Sequence, residues 1–224
     1  MLSLDPKELT VQRLHQLLLG AVGPRPIAFA STLDPEGRPN LAPFSFFNVF
    51  SANPPILVFS PARSGRTGQS KDTFNNAKAV PEVVINVVNY NMVHQMSLAS
   101  SPYAPGIDEF IKAGFTKEAA TIVKPPMVKE AKIKLECKIN EVKSLGDQGG
   151  AGQLVIAEVL CMHIDDAILN AEGTMIDQTK LALVARLGGD WYCKVNSQNL
   201  FKVAKPNTAL GIGIDAIPES IKSS

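Results

Sequence analysis

The sequence predicts a mainly β fold with peripheral helices, its strands paired antiparallel into a barrel. Three observations carry that expectation. Apolar, β-branched runs of strand length recur along the chain, as at residues 27–32, 56–60 and 83–88. Clusters of turn-forming residues separate strand patterns at hairpin spacing, as with Asp34, Pro35, Glu36 and Gly37. Helical patterns are short and lie between or outside the strands.

Taken in order, residues 5–19 carry Leu9, Leu14, Leu17 and Leu18 at helical spacing, with Pro6 suited to a first turn and Gly20 to a stop. They predict a helical extension over about 1–20. Residues 27–32 and 41–50 flank the first turn and form a hairpin. Pro54 and Pro55 break the chain before a strand at 56–60. A polar loop and a short helix at 72–78 lead to a buried strand at 83–88. Short helices follow at 91–100 and 108–113, around Pro102 and Pro105. Pro125 and Pro126 introduce a strand at 132–142, which sets Ile133, Leu135, Cys137 and Ile139 on one face and Lys134, Glu136, Lys138 and Asn140 on the other. Its partner is 153–164, across a glycine-rich loop at 146–152. Shorter strands at 181–185 and 190–195, a helical piece near Asn199 and a tail over about 205–224 complete one domain spanning 1–224.

Composition narrows the function. A hydrophobic fraction of 45% with 19% charged residues belongs to an ordinary globular protein. The formal net charge of +1, with Lys and Arg scattered, provides no field to collect a polyanion and excludes nucleic acid as a partner. The longest apolar stretches are far shorter than the roughly 20 residues that cross a bilayer, so no membrane span is expected. The first residues interleave charges with leucines, unlike a secretory signal, which places the chain in the cytoplasm. Cys137, Cys161 and Cys193 are an odd, widely spaced set in strand-like segments and read as buried thiols.

Some patterns carry no chemistry. Gly211, Gly213 and Ala216 match a dinucleotide fingerprint in letters, but no complete βαβ unit can follow so near the carboxyl terminus. The glycines at 146–152 serve a hairpin. His15, His94 and His163 form no close ligand pair, so no metal site is expected. No nucleophile elbow of the Gly-x-Ser-x-Gly type is present.

Two segments stand apart. Residues 64–73 read SGRTGQSKDT and, with Arg63 just before them, gather Arg63, Arg66, Lys71 and several hydroxyls ahead of a helix. Cations, hydroxyl donors and free N–H groups at a helix start are what a phosphate monoester requires. The spacing is not that of a Walker A loop, so a triphosphate is not implied. Residues 40–48 read NLAPFSFFN, a strand with aromatics on both faces that suits a planar ligand, an oligomer interface or ordinary core.

Together these segments resemble the flavin reductase-like family of FMN-binding split barrels. The order along the chain is PRPIAFAST at 24–32, GRPNLAPFSFF at 37–47, an Asn-Pro-Pro strand at 53–60, Lys71-Asp72-Thr73, a strand ending in Asn86, and ARLGG at 185–189. The resemblance implies a six-stranded Greek-key barrel, a homodimer, and FMN in a groove at the subunit interface. It implies that Ser31 and Thr32, with Ala42, Pro43, Ser45, Phe46, Phe47 and Asn48, contact the isoalloxazine. Ser60, Lys71 and Thr73 face the phosphate, Arg63 or Arg66 adds a second cation, and Arg186 reaches the flavin from late in the chain.

The implied reaction is hydride transfer from NADH or NADPH to flavin, with electrons passed to an acceptor or a partner monooxygenase. No catalytic side chain is needed, because the flavin carries the chemistry. Backbone N–H groups between Ser45 and Asn48 are expected to face the charge that reduction creates. Many reductases have a Pro-Leu-hydrophobic stretch followed by an aromatic and a Gly-x-Tyr where this chain has LALVARLGGDWY. That departure keeps open an FMN-binding electron carrier or sensor without nicotinamide turnover. A flavin-free barrel that uses its groove for another ligand is the remaining alternative.

Overall fold

The computed structural model describes residues 1–104 and 106–203; the expected tail, with Gly211, Gly213 and Ala216, lies outside the described residues. Seven strands form one antiparallel sheet: β1 (Ala28–Leu33), β2 (Pro39–Phe44), β3 (Phe47–Ala52), β4 (Pro55–Phe59), β5 (Glu82–Val87), β8 (Ile133–Ser144) and β9 (Gln153–Ile164), in the order β2-β1-β5-β8-β9-β4-β3. Two-residue strands β6 (Lys117–Glu118) and β7 (Met127–Val128) pair outside it, and β10 (Val184–Arg186) pairs with β11 (Tyr192–Lys194).

The sheet has seven strands, where six were expected, because the segment read as one strand at 41–50 is two. β2 pairs with β1, whereas β3 pairs with β4, and only Ser45 and Phe46 lie between them. β2 and β3 are also the two ends of the sheet order, so a two-residue link forces the sheet to curl until its edges meet. The Phe46 carbonyl accepts the Ser60 N–H at 2.9 Å and pins that corner. Bulges at Val49/Ser51, Glu136/Cys137 and Ile139/Glu141 supply local bending.

One face of the sheet encloses a core that includes Ala28, Ala30, Phe59, Val83, Ile85 and Val155. Helix α2 (Asp72–Ala79) adds Phe74 and Ala77 to it. The outer faces of β1 and β2 hold a second core, in which Phe29 and Leu41 pack with Met92, just before α3 (Val93–Ala99), with Met96 of α3 and with Phe110 of α4 (Glu109–Ala113). A four-residue helix, α5 (Gln178–Leu181), precedes β10; the piece expected near Asn199 is only a turn.

At the amino terminus the single expected helix is a 3-10 turn, Pro6–Glu8, followed by α1 (Val11–Ala21). Thr10 caps α1 by accepting the Arg13 N–H at 3.3 Å. Gly20 does not stop the helix. It permits a close approach instead: a Cβ on Gly188 would stand 3.0 Å from Gly20 Cα and 3.2 Å from Gly20 N. Among the described residues no helix is long and apolar enough to cross a membrane.

Glu136, assigned by alternation to the solvent face of β8, is fully buried under residues 121–123. One carboxylate oxygen accepts the Thr121 N–H at 2.8 Å and meets His163 Nε2 at 2.6 Å; the other accepts the Ile122 and Val123 N–H groups at 2.6 and 2.8 Å. Cys161 completes a Glu136–Cys161–His163 group whose ligand atoms lie within 4.8 Å of one another, a proximity that the sequence spacing does not reveal. All three cysteines are free; Cys137 is buried, whereas Cys161 and Cys193 are half-buried rather than buried as read from sequence. Burial, reinforced by the neighbouring Glu136 charge, pushes the Cys137 thiol up to about 12.

Two consequences are testable. Burial raises the Glu136 pKa, but the three N–H donors and His163 outweigh it and hold the carboxyl at about 2. Its folded pKa lies below the unfolded value of 4.5, so its stabilisation is present above pH 4.5 and fades as pH falls towards 2. Glu136→Gln should cost about 3 kcal/mol in urea unfolding at pH 7 and progressively less below pH 4.5. Gly188→Ala should destabilise by about 1–3 kcal/mol, because backbone lies where its methyl must go. Thermal unfolding and proteolysis at the end of α1 would read that loss.

Candidate functional site

The corner made by Ser45 and Phe46 opens into a cavity of about 450 Å³, within the range of small-molecule sites. One wall is β2 with its link to β3, presenting Ala42, Pro43, Ser45 and Phe46. The start of α2 and Ser60 close the wall on one side. Residues 100–103, after α3, and the β10–β11 hairpin with Arg186 and Tyr192 also line the cavity. His15 and Leu19 of α1 reach the rim, where His15 meets the Phe46 ring edge-on at 6.2 Å.

The α2 start is chemically open. Lys71 is its N-cap residue and its side chain caps nothing, so the first N–H groups of the helix have no intrahelical acceptor. The Lys71 side chain is exposed and forms no ion pair among the described residues. Beside it, Ser60 Oγ accepts the Gln153 N–H at 3.0 Å, which leaves the Ser60 proton free to donate. Gln153, fully buried, also donates to Ser70 Oγ at 2.9 Å and so steadies the residue before Lys71.

Thr73 behaves differently from the sequence expectation of a hydroxyl donor to ligand. Its Oγ1 donates to Asn40 Oδ1 at 2.7 Å. Asn40 Nδ2 in turn donates to Glu109 Oε1 at 3.0 Å, and Glu109 Oε2 accepts the Leu41 N–H at 3.0 Å. Burial pushes the Glu109 carboxyl above its usual range despite these bonds. This chain fixes α2 and α4 to the start of β2, leaving the Thr73 backbone N–H as its contribution to the groove.

At the Ser45 end stands Arg25, only 5% exposed. Its backbone exchanges two hydrogen bonds with Arg186, at 2.9 and 2.8 Å. Arg186 lies over the Tyr192 ring, 4.5 Å from its centre, and donates to the Gly189 carbonyl at 2.6 Å.

Of the residues expected at the site, the structure brings Ala42, Pro43, Ser45, Phe46, Ser60, Lys71, Thr73 and Arg186 to this cavity. The others are placed elsewhere. Ser31 and Thr32 are fully buried, with Thr32 accepting from Asn76 Nδ2 at 3.1 Å. Phe47 packs on the barrel core, and Asn48 is exposed and accepts its neighbour's N–H. Arg63 donates to the Gly68 carbonyl at 3.1 Å and shapes its own loop, while Arg66 is exposed. The glycine-rich 146–152 loop buttresses that segment: a Cβ on Gly149 would stand 3.1 Å from the Ser64 carbonyl oxygen. Arg25, Asn40, Glu109 and Tyr192 were missed. A cation between two prolines at the head of an apolar strand was the available signal for Arg25.

The arrangement can hold an anion at Lys71 and the α2 start, with a flat apolar body against β2. Residues 21–181 match the family model described as "Flavin reductase like domain". Nitrilotriacetate monooxygenase component B from Bacillus cereus is 31% identical, with a TM-score of 0.84 over 91% of this chain and 98% of that one. The 2-nitrobenzoate 2-nitroreductase of Pseudomonas fluorescens is 27% identical, with a TM-score of 0.80 over 92% and 96%. A protein with a split barrel domain from Shewanella frigidimarina, 24% identical with a TM-score of 0.74 over 91% and 100%, has the same fold. With its curled sheet and groove, this chain is a split barrel and belongs to the flavin reductase-like family of flavin-related oxidoreductases.

Proposed function

We propose that the chain binds FMN in this groove and is an NAD(P)H-dependent flavin oxidoreductase that passes its electrons to an acceptor or a partner protein. The observation that carries the reading is the uncapped α2 start beside Lys71, which has no ion-pair partner among the described residues, at the edge of an apolar wall. A phosphate monoester fits those donors: an ammonium, the free Ser60 proton and the first N–H groups of a helix. A flat ring system fits Ala42, Pro43 and Phe46. When bound, the flavin supplies hydride acceptance at N5, and the protein's task is to bind, orient and surround it.

The residues divide that task. Lys71 and the α2 N–H groups hold the phosphate, and Ser60 donates beside them. The Thr73–Asn40–Glu109 chain keeps α2 in register with β2, so the phosphate and ring contacts share one frame. Residues 100–103 and the β10–β11 hairpin form a further wall and limit water. NADH or NADPH is the donor on this reading. Val49 and Phe50, 63% and 68% exposed on β3, support a homodimer that covers this edge. The similarity to a monooxygenase component supports a partner monooxygenase, and the lack of a spanning helix among the described residues is compatible with a cytoplasmic site. The late-segment departure favours one other reading, an electron carrier or sensor that binds FMN equally well and turns over no nicotinamide.

Gel filtration after FMN addition should leave a flavin band on the protein, and anaerobic NADH or NADPH should bleach it within the mixing time of a manual assay. A retained band indifferent to both donors would select the carrier. Lys71→Ala should weaken FMN binding roughly ten- to a hundredfold and leave riboflavin, which has no phosphate, unaffected. Fluorescence titration with both ligands measures this directly.

A further inference from the structure

Among the described residues, Arg25 is a buried cation without an acidic partner. Its Nη1 donates to the carbonyls of Leu19, at 2.7 Å, and Val22; Nη2 donates to the Leu187 carbonyl at 2.9 Å, and Nε to Ser45 Oγ at 3.4 Å. None of these acceptors is a carboxylate, and no ion pair among the described residues includes Arg25. Its neighbour across the backbone bridge is Arg186, another cation. Burial first, and then the Arg186 charge, lower its pKa from the ordinary value.

The α1 carbonyls offset part of this charge, because a helix carboxyl end is partially negative. Arg25 and Ser45 both line the groove. A serine hydroxyl has one proton and two lone pairs. Arg25 occupies the oxygen as an acceptor, so the Ser45 proton is left to point elsewhere, and the two-residue link between β2 and β3 holds that hydroxyl at the corner of the groove.

We infer that Arg25 is a positioning residue that turns the Ser45 hydroxyl into a donor aimed at the bound flavin ring, where reduction places negative charge. This rests on the FMN reading above. Two electrons and the proton kept at N5 arrive together as hydride from the nicotinamide, which is oxidised. The ring gains one negative charge; Ser45 and Arg25 form and break no covalent bond and keep their protons. Their contribution is larger for the reduced ring than for the oxidised one, so it appears as a shift in potential.

The test is the two-electron midpoint potential of bound FMN, measured by equilibrium dye titration, in wild type, Ser45→Ala, Arg25→Lys and the double variant. Ser45→Ala keeps all the Arg25 bonds to carbonyls and should fold, which thermal unfolding confirms. It should weaken binding of reduced flavin about ten- to a hundredfold more than that of oxidised flavin, which lowers the potential by about 30–60 mV. Arg25→Lys keeps the charge but loses the Nε donor; it should shift the potential the same way in the Ser45 background and add nothing in the Ser45→Ala background. A potential unchanged in Ser45→Ala, with FMN retained, would overturn the inference. So would an Arg25→Lys shift that persists without the Ser45 hydroxyl. A wild-type chain that retains no FMN would instead overturn the reading on which the inference stands.

Discussion

The structure depends on a two-residue link. Ser45 and Phe46 join β2 to β3, the opposite ends of the seven-strand order, and no flat sheet can satisfy that connection. The sheet curls, its edges meet, and β2 and β3 part at the seam, each paired with its other neighbour and not with one another. A groove at the seam is therefore a consequence of the topology.

Charge is distributed unequally around this frame. Glu136, remote from the groove lining, is a buried anion with both oxygens saturated by N–H donors and His163. Arg25, at the groove, is a buried cation held by carbonyls and a hydroxyl, with a second arginine as its neighbour. Both groups find their hydrogen-bond partners within the fold, and they differ in that Arg25 lines the groove and Glu136 does not. A buried cation that lacks an anion of its own stands where the protein can gain from a negative charge brought in from outside, because an uncompensated buried charge is costly.

The strands were legible because period-two alternation and β-branched runs report on a half-buried pleated surface; 133, 135, 137 and 139 face the core as read. The break at Ser45–Phe46 was not legible, since the aromatic run continues through it and only pairing partners reveal the change of strand. Glu136 misled for a related reason: alternation places a side chain on a face but cannot say that a distant loop will cover that face. Half of the site was readable from local chemistry, as with Lys71 before a helix. Arg63 and Arg66 looked equivalent to Lys71 by residue type, yet Arg63 is turned onto its own loop and Arg66 into solvent. The Thr73–Asn40–Glu109 chain joins residues far apart in sequence and had no local signature.

The two walls of the groove differ in how they are held. The inner wall, β2 and the α2 start, is part of the barrel and is fixed by the Asn40 and Glu109 bonds. The outer wall is added to the barrel: β10 and β11 form a sheet of their own, attached through the Arg25–Arg186 bridge, the Tyr90 N–H to the Ala182 carbonyl, and the glycine contact with α1. On the proposed reading, the flavin rests on the fixed wall and its electron donor or partner must approach past the attached one. Substitutions in the attached wall can then alter what delivers or collects electrons while the flavin contacts stay in place. The late segment 181–192, where this chain departs from the pattern of many reductases, lies in that wall. The departure therefore alters the wall that carries Arg186 and Tyr192 and leaves the β2 wall as it is.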